Sequence, residues 1–342
     1  MRIAIFHNLP TGGAKRVLDE QVRFLSQNHQ VKVFTFDLPE TKKGTPANRR
    51  LVKDFNNFVC LYFYHKGLAK KIDKQKFDVV LVHPDKLTQA PYLLRHLATP
   101  SVYFCEELLR IVYEKQLAFT ADVGILKRTY ELLTRNLRKY VDLTSAKSAT
   151  KIVVASKFIK NKVKFAYNID AFVCSLGVDT KTFKPTANKS KHMINQLVFI
   201  GEKNNINGYN FAKQISLKTK LSLKVISGWK LTDAQMANLY ANSLATLCVS
   251  YGEPFGLVPL EVQACGGIVL AVNEGGYTET IINNETGFLL PRKIPVFVDK
   301  ISWLTKNNSR LQKIRLAARQ HIIKNYTWKI HGKCLEKQLK LQ

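Results

Sequence analysis

Two glutamates in the second half of the chain, Glu253 and Glu261, are spaced so that both could contact one phosphorylated ligand. The apolar run 244–249 predicts a buried strand, which places Glu253 in a loop at the carboxyl edge of a sheet, where open α/β folds bind ligands. A helix is predicted to begin near Gly256, because Pro259 is tolerated in a first turn. Amides at that helix start can hold a diphosphate, and Glu261 can reach a ribose. The flanking proline, phenylalanine and glycine favour this site over two ordinary surface glutamates.

A glycine pair near the amino terminus gives a second candidate site. Gly12 and Gly13 join the apolar run 2–6 to a predicted helix over 14–25. Paired glycines let backbone approach a ligand, and a helix start offers N–H groups to an anion. The same pair is equally typical of a tight turn without a ligand, so these residues alone leave both interpretations open.

Short apolar runs alternate with helix-compatible segments along the whole chain. Alternation of this kind predicts parallel sheets covered by helices on both faces. The polar stretch 177–191 precedes a new strand, so we predict one domain over 1–185 and a second over 186–320. The predicted strands are 2–6, 31–36, 77–82, 101–104, 151–155, 197–200, 223–226, 244–249, 268–272 and 288–290.

The composition limits the compartment and the partners. The 342 residues carry a formal net charge of +28, which indicates an anionic partner (nucleic acid, an acidic membrane surface or a charged substrate) or a generally basic surface. The six cysteines are scattered without metal-ligand spacing, which predicts a reduced, cytoplasmic chain rather than a disulfide framework. No targeting or membrane-spanning segment stands out, so any membrane association is expected to be peripheral, at the inner face.

Part of the positive charge lies on a predicted helix over 126–141. The basic residues of this segment fall within one arc of the helix, and its leucines, tyrosines and valine fall within another. Such a helix can lie on an anionic bilayer, or it can pack its apolar arc on the domain. We favour the packed helix, with the basic arc contacting an anionic membrane. The basic arc comprises Lys127, Arg128, Arg135, Arg138 and Lys139; the apolar arc comprises Leu126, Tyr130, Leu133, Leu137, Tyr140 and Val141.

The run from Glu253 to Glu261, continuing to Gly266, resembles the signature of retaining glycosyltransferases of family 4, which have the GT-B fold. The resemblance extends over nearly the whole chain, through the opening glycine loop, the segment 149–156 and the turn 273–276. It implies two Rossmann-like domains facing across a cleft, and a terminal segment, 321–342, that returns to the first domain.

The resemblance also implies roles for single residues. Glu253 would hold the donor sugar near the reacting carbon, Glu261 would bind the ribose, and no metal or cofactor would be needed. The implied catalytic residues are Glu253, His83 and Glu106, with Glu107 and Arg110 binding the acceptor. The implied donor-binding residues are Gly12, Gly13, Gly201, Lys203, Glu253, Phe255, Gly256, Leu257, Val258 and Glu261.

This sequence departs from the family pattern where two cations normally contact the diphosphate. Glu202 follows Gly201, where the family usually has an arginine, and Asn207 stands where it has a lysine. Lys203 is the nearest substitute. On the acceptor side, a lone histidine at a strand end, such as His83, is more often structural than catalytic, and relatives often have a histidine where Glu106 stands. The side chains of Glu106, Glu107 and Arg110 could bind acceptor hydroxyls or could pair with one another.

Together these features predict a hexosyltransferase that uses a nucleoside-diphosphate sugar and a lipid-linked or polysaccharide acceptor of the cell envelope. A nucleotide-sugar epimerase is disfavoured by the loop at Glu253. A nucleic-acid-binding protein is suggested by the net charge of +28, yet the sequence lacks a recognisable nucleic-acid module, so we expect no nucleic-acid partner. A non-catalytic relative remains an alternative because of Glu202 and Asn207.

Overall fold

The computed structural model describes residues 1–36, 52, 54–114, 125–186, 194–228 and 231–340, without the side chains of 125–127 and 194. The chain divides into two compact units. Unit 1 contains Met1–Ala155, Ile159–Cys174 and the chain from Gly332; unit 2 contains Ser156–Phe158 and Ser175–His331.

The sheet of unit 1 is parallel throughout, with the strand order β2-β1-β3-β4-β5-β6. Its central strands are almost fully buried because helices cover both faces. Between β1 and β3 the strand order reverses direction, and at such a point the loops beyond the carboxyl ends open a crevice. The strands are β1 (Arg2–Asn8), β2 (Gln30–Phe34), β3 (Val79–Asp85), β4 (Ser101–Cys105), β5 (Lys151–Val154) and β6 (Phe172–Val173).

The sheet of unit 2 is also parallel, with the order β11-β10-β9-β7-β8. Here the order reverses between β7 and β9, so the loops that follow these two strands are neighbours. Its strands are β7 (Ile194–Ile200), β8 (Ser222–Ile226), β9 (Ser243–Cys248), β10 (Val269–Val272) and β11 (Phe288–Leu290). All ten predicted strands are present, and the α/β fold class with two parallel sheets is confirmed.

Helices connect most strands, as parallel topology requires. A π-helical turn, Asn56–Cys60, leads into α2, and a 3₁₀ turn, Tyr92–Arg95, precedes β4. No helix among the described residues is long and apolar enough to cross a bilayer. The helices are α1 (Gly13–Leu25), α2 (Leu61–Asp73), α3 (Arg110–Tyr113), α4 (Ile125–Lys147), α5 (Lys157–Tyr167), α6 (Tyr209–Thr219), α7 (Asp233–Asn242), α8 (Leu257–Ala264), α9 (Tyr277–Thr280), α10 (Ile294–Lys306), α11 (Asn308–Asn325) and α12 (Trp328–Leu339).

The division between the units lies at Cys174, not at the predicted residue 185. Although the segment 177–191 is polar in composition, two of its residues, Val178 and Phe183, are buried in contacts with unit 2. Val178 donates its amide to the Tyr326 carbonyl at 2.9 Å, and Phe183 is buried with its ring centroid 6.4 Å from that of Tyr240. These contacts make the segment from Ser175 part of unit 2.

The cysteine prediction was wrong for one pair. Cys174, which follows β6, is joined to Cys334 of α12 by a disulfide within unit 1. The sequence could not indicate this pairing, because 160 residues separate the two cysteines and only the return of α12 brings them together. The predicted returning segment began at 321, whereas unit 1 takes up the chain again at Gly332.

The orientation of α4 also differs from the prediction. Its buried face carries polar groups, among them Glu131 and Asp142, while Leu133 and Tyr140 of the predicted packing arc are 65% and 62% exposed. Asp142 accepts hydrogen bonds from the Ala90 amide at 3.1 Å and from a buried tyrosine hydroxyl at 2.7 Å. This polar network, rather than the apolar arc, fixes the helix on the domain.

The basic arc of α4 is only partly exposed: Arg128 and Lys139 face solvent, whereas Arg135 and Arg138 make contacts within unit 1. Arg138 forms an ion pair with Asp54 at 2.9 Å, and Arg135 donates to the Ile111 carbonyl at 3.2 Å. The side chain of Lys127 lies outside the described residues. The predicted membrane contact through the basic arc stays a prediction, and the contacts of Arg135 and Arg138 reduce the number of cations that face solvent.

Candidate functional site

The first candidate site is formed in unit 2 by the loops that follow β7 and β9. Tyr251, after β9, donates its amide to the Ile206 carbonyl at 2.8 Å, and Ser250 Oγ donates to the Asn207 carbonyl at 3.4 Å. Because these are the two strands at which the sheet order reverses, the predicted residues Gly201 and Glu253 lie on adjoining loops.

A glycine turn after β10 supports the loop of Glu253. The Gly276 amide donates to the Glu253 carbonyl at 2.8 Å, and a Cβ on Gly276 would lie 2.4 Å from Phe255 Cα. Only glycine can therefore occupy position 276 without displacing the loop. Phe255 is buried beside Tyr326, with ring centroids 6.1 Å apart. Its ring therefore fixes the loop to the core of unit 2.

The start of α8 presents backbone amides at this edge. Gly256 precedes the helix with φ at +94°, a conformation that L side chains rarely adopt, and turns the chain directly into α8. The amides of Leu257 and Val258 have no acceptor within the helix, as holds for every helix's first turn. They are therefore available to an anion at the positive end of the helix dipole.

Glu261 lies on α8 with only 8% of its surface exposed. Its Oε2 accepts a hydrogen bond from the buried Tyr240 hydroxyl at 2.9 Å. This bond fixes the carboxylate, and the proximity of Glu261 contributes, after burial, to raising the pKa of Tyr240 well above its usual value. A carboxylate held in this way can accept hydrogen bonds from hydroxyl groups of a ligand, and little further side-chain entropy is lost on binding.

Arg292 is a contributor that the sequence analysis missed. It follows β11 and donates to the Val249 carbonyl at 2.7 Å and the Ser250 carbonyl at 3.2 Å, and it pairs with Glu274 at 2.8 Å. Its guanidinium also lies 3.6 Å from the centre of the Tyr251 ring. Arg292 thus fixes the loop after β9 from a distant position in sequence, where no local motif indicates it.

The loop after β7 contains the departures from the family pattern. Glu202 is exposed, and the Asn207 side chain donates to the Glu202 carbonyl at 3.5 Å, so the amide holds the loop together. Lys203 is exposed, with Nζ 6.0 Å from the Tyr209 ring centroid. The loop therefore keeps its shape without the two cations.

The second candidate site lies in unit 1, at the carboxyl edge of β3 and β4. His83 is fully buried, with Nε2 2.7 Å from Gln21 Oε1 and Nδ1 3.3 Å from Glu106 Oε1. Since the amide oxygen accepts only, His83 donates from Nε2, and Nδ1 must accept. A protonated Glu106 carboxyl can supply that hydrogen.

The protonation states agree with this geometry. Burial, reinforced by nearby Lys15, lowers the pKa of His83 to about 3, so the ring is neutral at pH 7. Burial raises the pKa of Glu106 to about 8, although the side chain remains 17% exposed. His7, which the sequence analysis missed, has its pKa lowered to about 4, first by burial and then by His83. The cluster therefore offers a neutral carboxylic acid at a partly open edge.

The remaining predicted residues of unit 1 are Glu107, Arg110, Gly12 and Gly13. Burial raises the pKa of Glu107, while Arg110 pairs with Glu114 at 2.9 Å. Gly12 and Gly13 lie at the start of α1 in unit 1, and Gly12 has an extended backbone that any residue can adopt. Their contribution to a donor site formed in unit 2 stays a prediction.

Two families of known proteins match the chain. The family described as Glycosyltransferase Family 4 matches residues 11–182, which is half of the chain, and the family described as Glycosyl transferases group 1 matches residues 184–321.

Curated relatives match over a short stretch. A D-inositol 3-phosphate glycosyltransferase of Corynebacterium diphtheriae is 31% identical over 103 residues, which are 30% of this chain and 24% of the relative. A glycogen synthase of Mycobacterium tuberculosis is 30% identical over 99 residues, 29% of this chain and 24% of the relative. The match thus spans about a quarter of the length of these relatives.

Solved structures match over the whole length. Sucrose-phosphate synthase of Thermosynechococcus elongatus has a TM-score of 0.77 at 15% identity, covering 99% of this chain and 98% of that one. Alr3699/HepE of Anabaena, solved with UDP-glucose, has a TM-score of 0.70 at 15% identity and covers 100% of both chains. These similarities establish the fold.

Proposed function

Because this chain belongs to the glycosyltransferases of family 4 and group 1, we propose that it transfers a hexose, with retention of configuration, from a nucleoside-diphosphate sugar to a lipid-linked or polysaccharide acceptor. The observation that carries the proposal is the arrangement around α8. Glu253 precedes a helix start with available amides, and Glu261 follows on the same helix, held by Tyr240.

Each part of this arrangement suits one part of a nucleotide sugar. The amides of Leu257 and Val258 would bind the diphosphate, and the Glu261 carboxylate would accept the ribose hydroxyls. Glu253 would hold the sugar, and developing charge on the departing diphosphate would be stabilised by the helix start without a metal ion. The crystal structure of HepE with UDP-glucose supports a donor of this class.

Donor binding is tested by thermal unfolding in excess EDTA. A saturating nucleoside diphosphate should raise the melting temperature, since a ligand at a hundredfold excess over its Kd stabilises by about 2.7 kcal/mol. Glu261→Ala should remove most of this shift, whereas Glu285→Ala should keep it, because Glu285 is exposed in the turn before β11, at the opposite edge of the sheet. A shift that survives Glu261→Ala, or that needs a divalent ion, contradicts the proposed site.

Chemistry is tested separately with Glu253→Gln. If Glu253 holds the sugar, this change should lower turnover far more than it lowers nucleotide affinity. Equal losses in turnover and affinity would mean that Glu253 supports the loop only. Nucleotide binding by the unmutated protein without transfer to any acceptor would favour the second candidate, a non-catalytic sugar-nucleotide-binding relative, which the exposed Glu202 suggests.

A further inference from the structure

Two neighbouring helical segments of unit 1 expose large apolar side chains to solvent. Along residues 55–63, which run through the π-helical turn into α2, Phe55 and Phe63 are 57% and 63% exposed, with the exposed Val59 between them. On α4, Leu133, Leu137 and Tyr140 are exposed. We call these six residues the apolar patch. Soluble monomers rarely leave such residues exposed as a contiguous group.

At one end of the patch, Asp54 joins the segment 54–63 to α4. Its carboxylate accepts a hydrogen bond from the Tyr130 hydroxyl at 2.5 Å and pairs with Arg138 at 2.9 Å. On a helix, Tyr130, Leu133 and Leu137 lie along one flank, because they are three and four residues apart. The two contacts of Asp54 therefore hold the start of the segment 54–63 against α4.

At the other end of the patch, Arg95 lies between Tyr92 and Tyr140. Its guanidinium lies 5.0 Å from the Tyr92 ring centroid and 5.9 Å from that of Tyr140. Tyr62 packs edge-on against Tyr92, with ring centroids 5.5 Å apart, and against Phe63, at 5.4 Å. A chain of aromatic and cationic contacts thus links Phe63 of one segment to Tyr140 of the other.

The charges around the patch are of one sign. Asp54, Glu131 and Asp142 are buried, and the half-buried Asp73 accepts hydrogen bonds from Thr99 and the Ala98 amide. Of the described residues on 54–73 and α4, every exposed charged side chain is therefore a lysine or arginine. They are Lys66, Lys70, Lys71, Arg128, Lys139 and Lys147.

We propose that the apolar patch docks on the surface of an anionic lipid bilayer. Leucine, phenylalanine and tyrosine side chains enter the region between headgroups and acyl chains, while the surrounding cations attract anionic headgroups. A second copy of this chain fits less well, because it would bring two positive surfaces together. In this proposal the membrane contact of α4 is made by its apolar flank, and not by the basic arc that the sequence analysis predicted. The proposal does not depend on the chemistry at Glu253.

Vesicle co-sedimentation tests the occupant. The full chain should bind vesicles of phosphatidylcholine with phosphatidylglycerol at about 0.05 M NaCl, and the bound fraction should fall at about 0.5 M because salt screens the cations. Absence of binding at low salt, or equal binding to pure phosphatidylcholine, would overturn the proposal of an anionic bilayer.

Two matched variants test the surface. The double change Leu133→Gln with Leu137→Gln should weaken partition into anionic vesicles about tenfold or more, since these side chains would lose their contact with acyl chains. Leu217→Gln with Leu316→Gln is the control, because these leucines of unit 2 are 67% and 66% exposed and carry no role in the patch. Equal losses in both variants, or none in the first, would refute the surface.

A tryptophan variant distinguishes a lost membrane contact from a loss of vesicle binding caused by misfolding of the double variant. Leu133→Trp, at a position that is already exposed, should show a blue-shifted emission on addition of anionic vesicles and none with pure phosphatidylcholine. An unshifted emission from vesicle-bound protein would place the bilayer elsewhere. If the first double variant instead abolishes a dimer seen without lipid, the occupant is a second copy and the bilayer proposal fails.

Discussion

Burial governs the protonation of individual residues in the candidate sites, and Glu106 shows this most clearly. Its folded pKa of about 8 lies above the ordinary value of 4.5, so the folded protein retains a proton that the unfolded chain releases. Stability from this group is complete below about pH 4.5 and is lost as the pH rises towards about 8.

Glu106→Gln should remove this loss, because the amide is neutral at every pH and can still donate to His83 Nδ1. The free energy of unfolding of the variant should therefore exceed that of the wild type by an amount that grows from pH 5 to 8, by at most about 1.4 kcal/mol per pH unit. Urea titrations of both proteins measure the difference. Parallel pH curves would mean that Glu106 is ionised in the folded state and does not donate to His83.

Glu202 supplies a second prediction at this scale, since it is exposed on the loop that adjoins Glu253. Replacing a carboxylate beside a bound diphosphate by a cation removes a repulsion and adds an attraction. Glu202→Arg should tighten binding of a nucleoside diphosphate about tenfold, about 1.4 kcal/mol, as measured by calorimetry. Glu285→Arg makes the same charge change at the opposite edge of the sheet and should have little effect; equal gains would indicate a general response to charge.

At the scale of elements, the sequence predicted strands well and helix faces poorly. Ten strands were predictable because apolar runs bounded by polar residues are local signals. The α4 orientation was not, because buried hydrogen bonds of Asp142 outweigh the apolar arc, and these depend on Ala90 and Tyr167, which are distant in sequence. β6, with two residues, is too short to give a pattern.

The candidate sites divide in the same way. Glu253, Gly256 and Glu261 form one local run, so spacing and resemblance were sufficient to place them on a loop and the helix that follows. Arg292 and Gln21 contribute through contacts made only in the folded chain, so no pattern near them could indicate their roles.

The docking of α12 gives an element-scale prediction. A Cβ on Gly332 would lie 2.3 Å from Cγ of Phe24, the ring that α1 presents to α12. Gly332→Ala should therefore destabilise unit 1 by about 1–3 kcal/mol, as overpacking usually does.

Gly67→Ala is the matched control for Gly332→Ala. Gly67 lies in the exposed interior of α2, where a Cβ would meet nothing within 4 Å, so alanine should stabilise by about 0.5–1 kcal/mol. Urea unfolding of the two variants should give opposite signs. Destabilisation by both would show that the effect of Gly332→Ala does not come from its contact with Phe24.

The net charge belongs to the whole molecule, and it keeps one competing class of function open to test. A chain with 53 lysines and arginines against 25 aspartates and glutamates attracts any polyanion, including nucleic acid. Non-specific binding of this origin has Kd values of about 10⁻⁴–10⁻⁶ M at physiological salt and weakens steeply as salt rises.

We therefore predict weak, salt-sensitive and sequence-independent binding of labelled duplex DNA, measured by fluorescence anisotropy. The complex should form at about 0.05 M NaCl and be lost by about 0.2 M, because each phosphate contact releases a counterion. A nucleoside diphosphate should not displace the DNA at low salt. Its own thermal shift should persist at high salt, since the Glu261 carboxylate is largely buried and, in the proposed function, would bind by hydrogen bonds. Binding of one DNA or RNA sequence at about 10⁻⁸ M in physiological salt would instead indicate a nucleic-acid function for the chain. The different salt dependences of the two ligands thus separate a property of the surface from a property of the site.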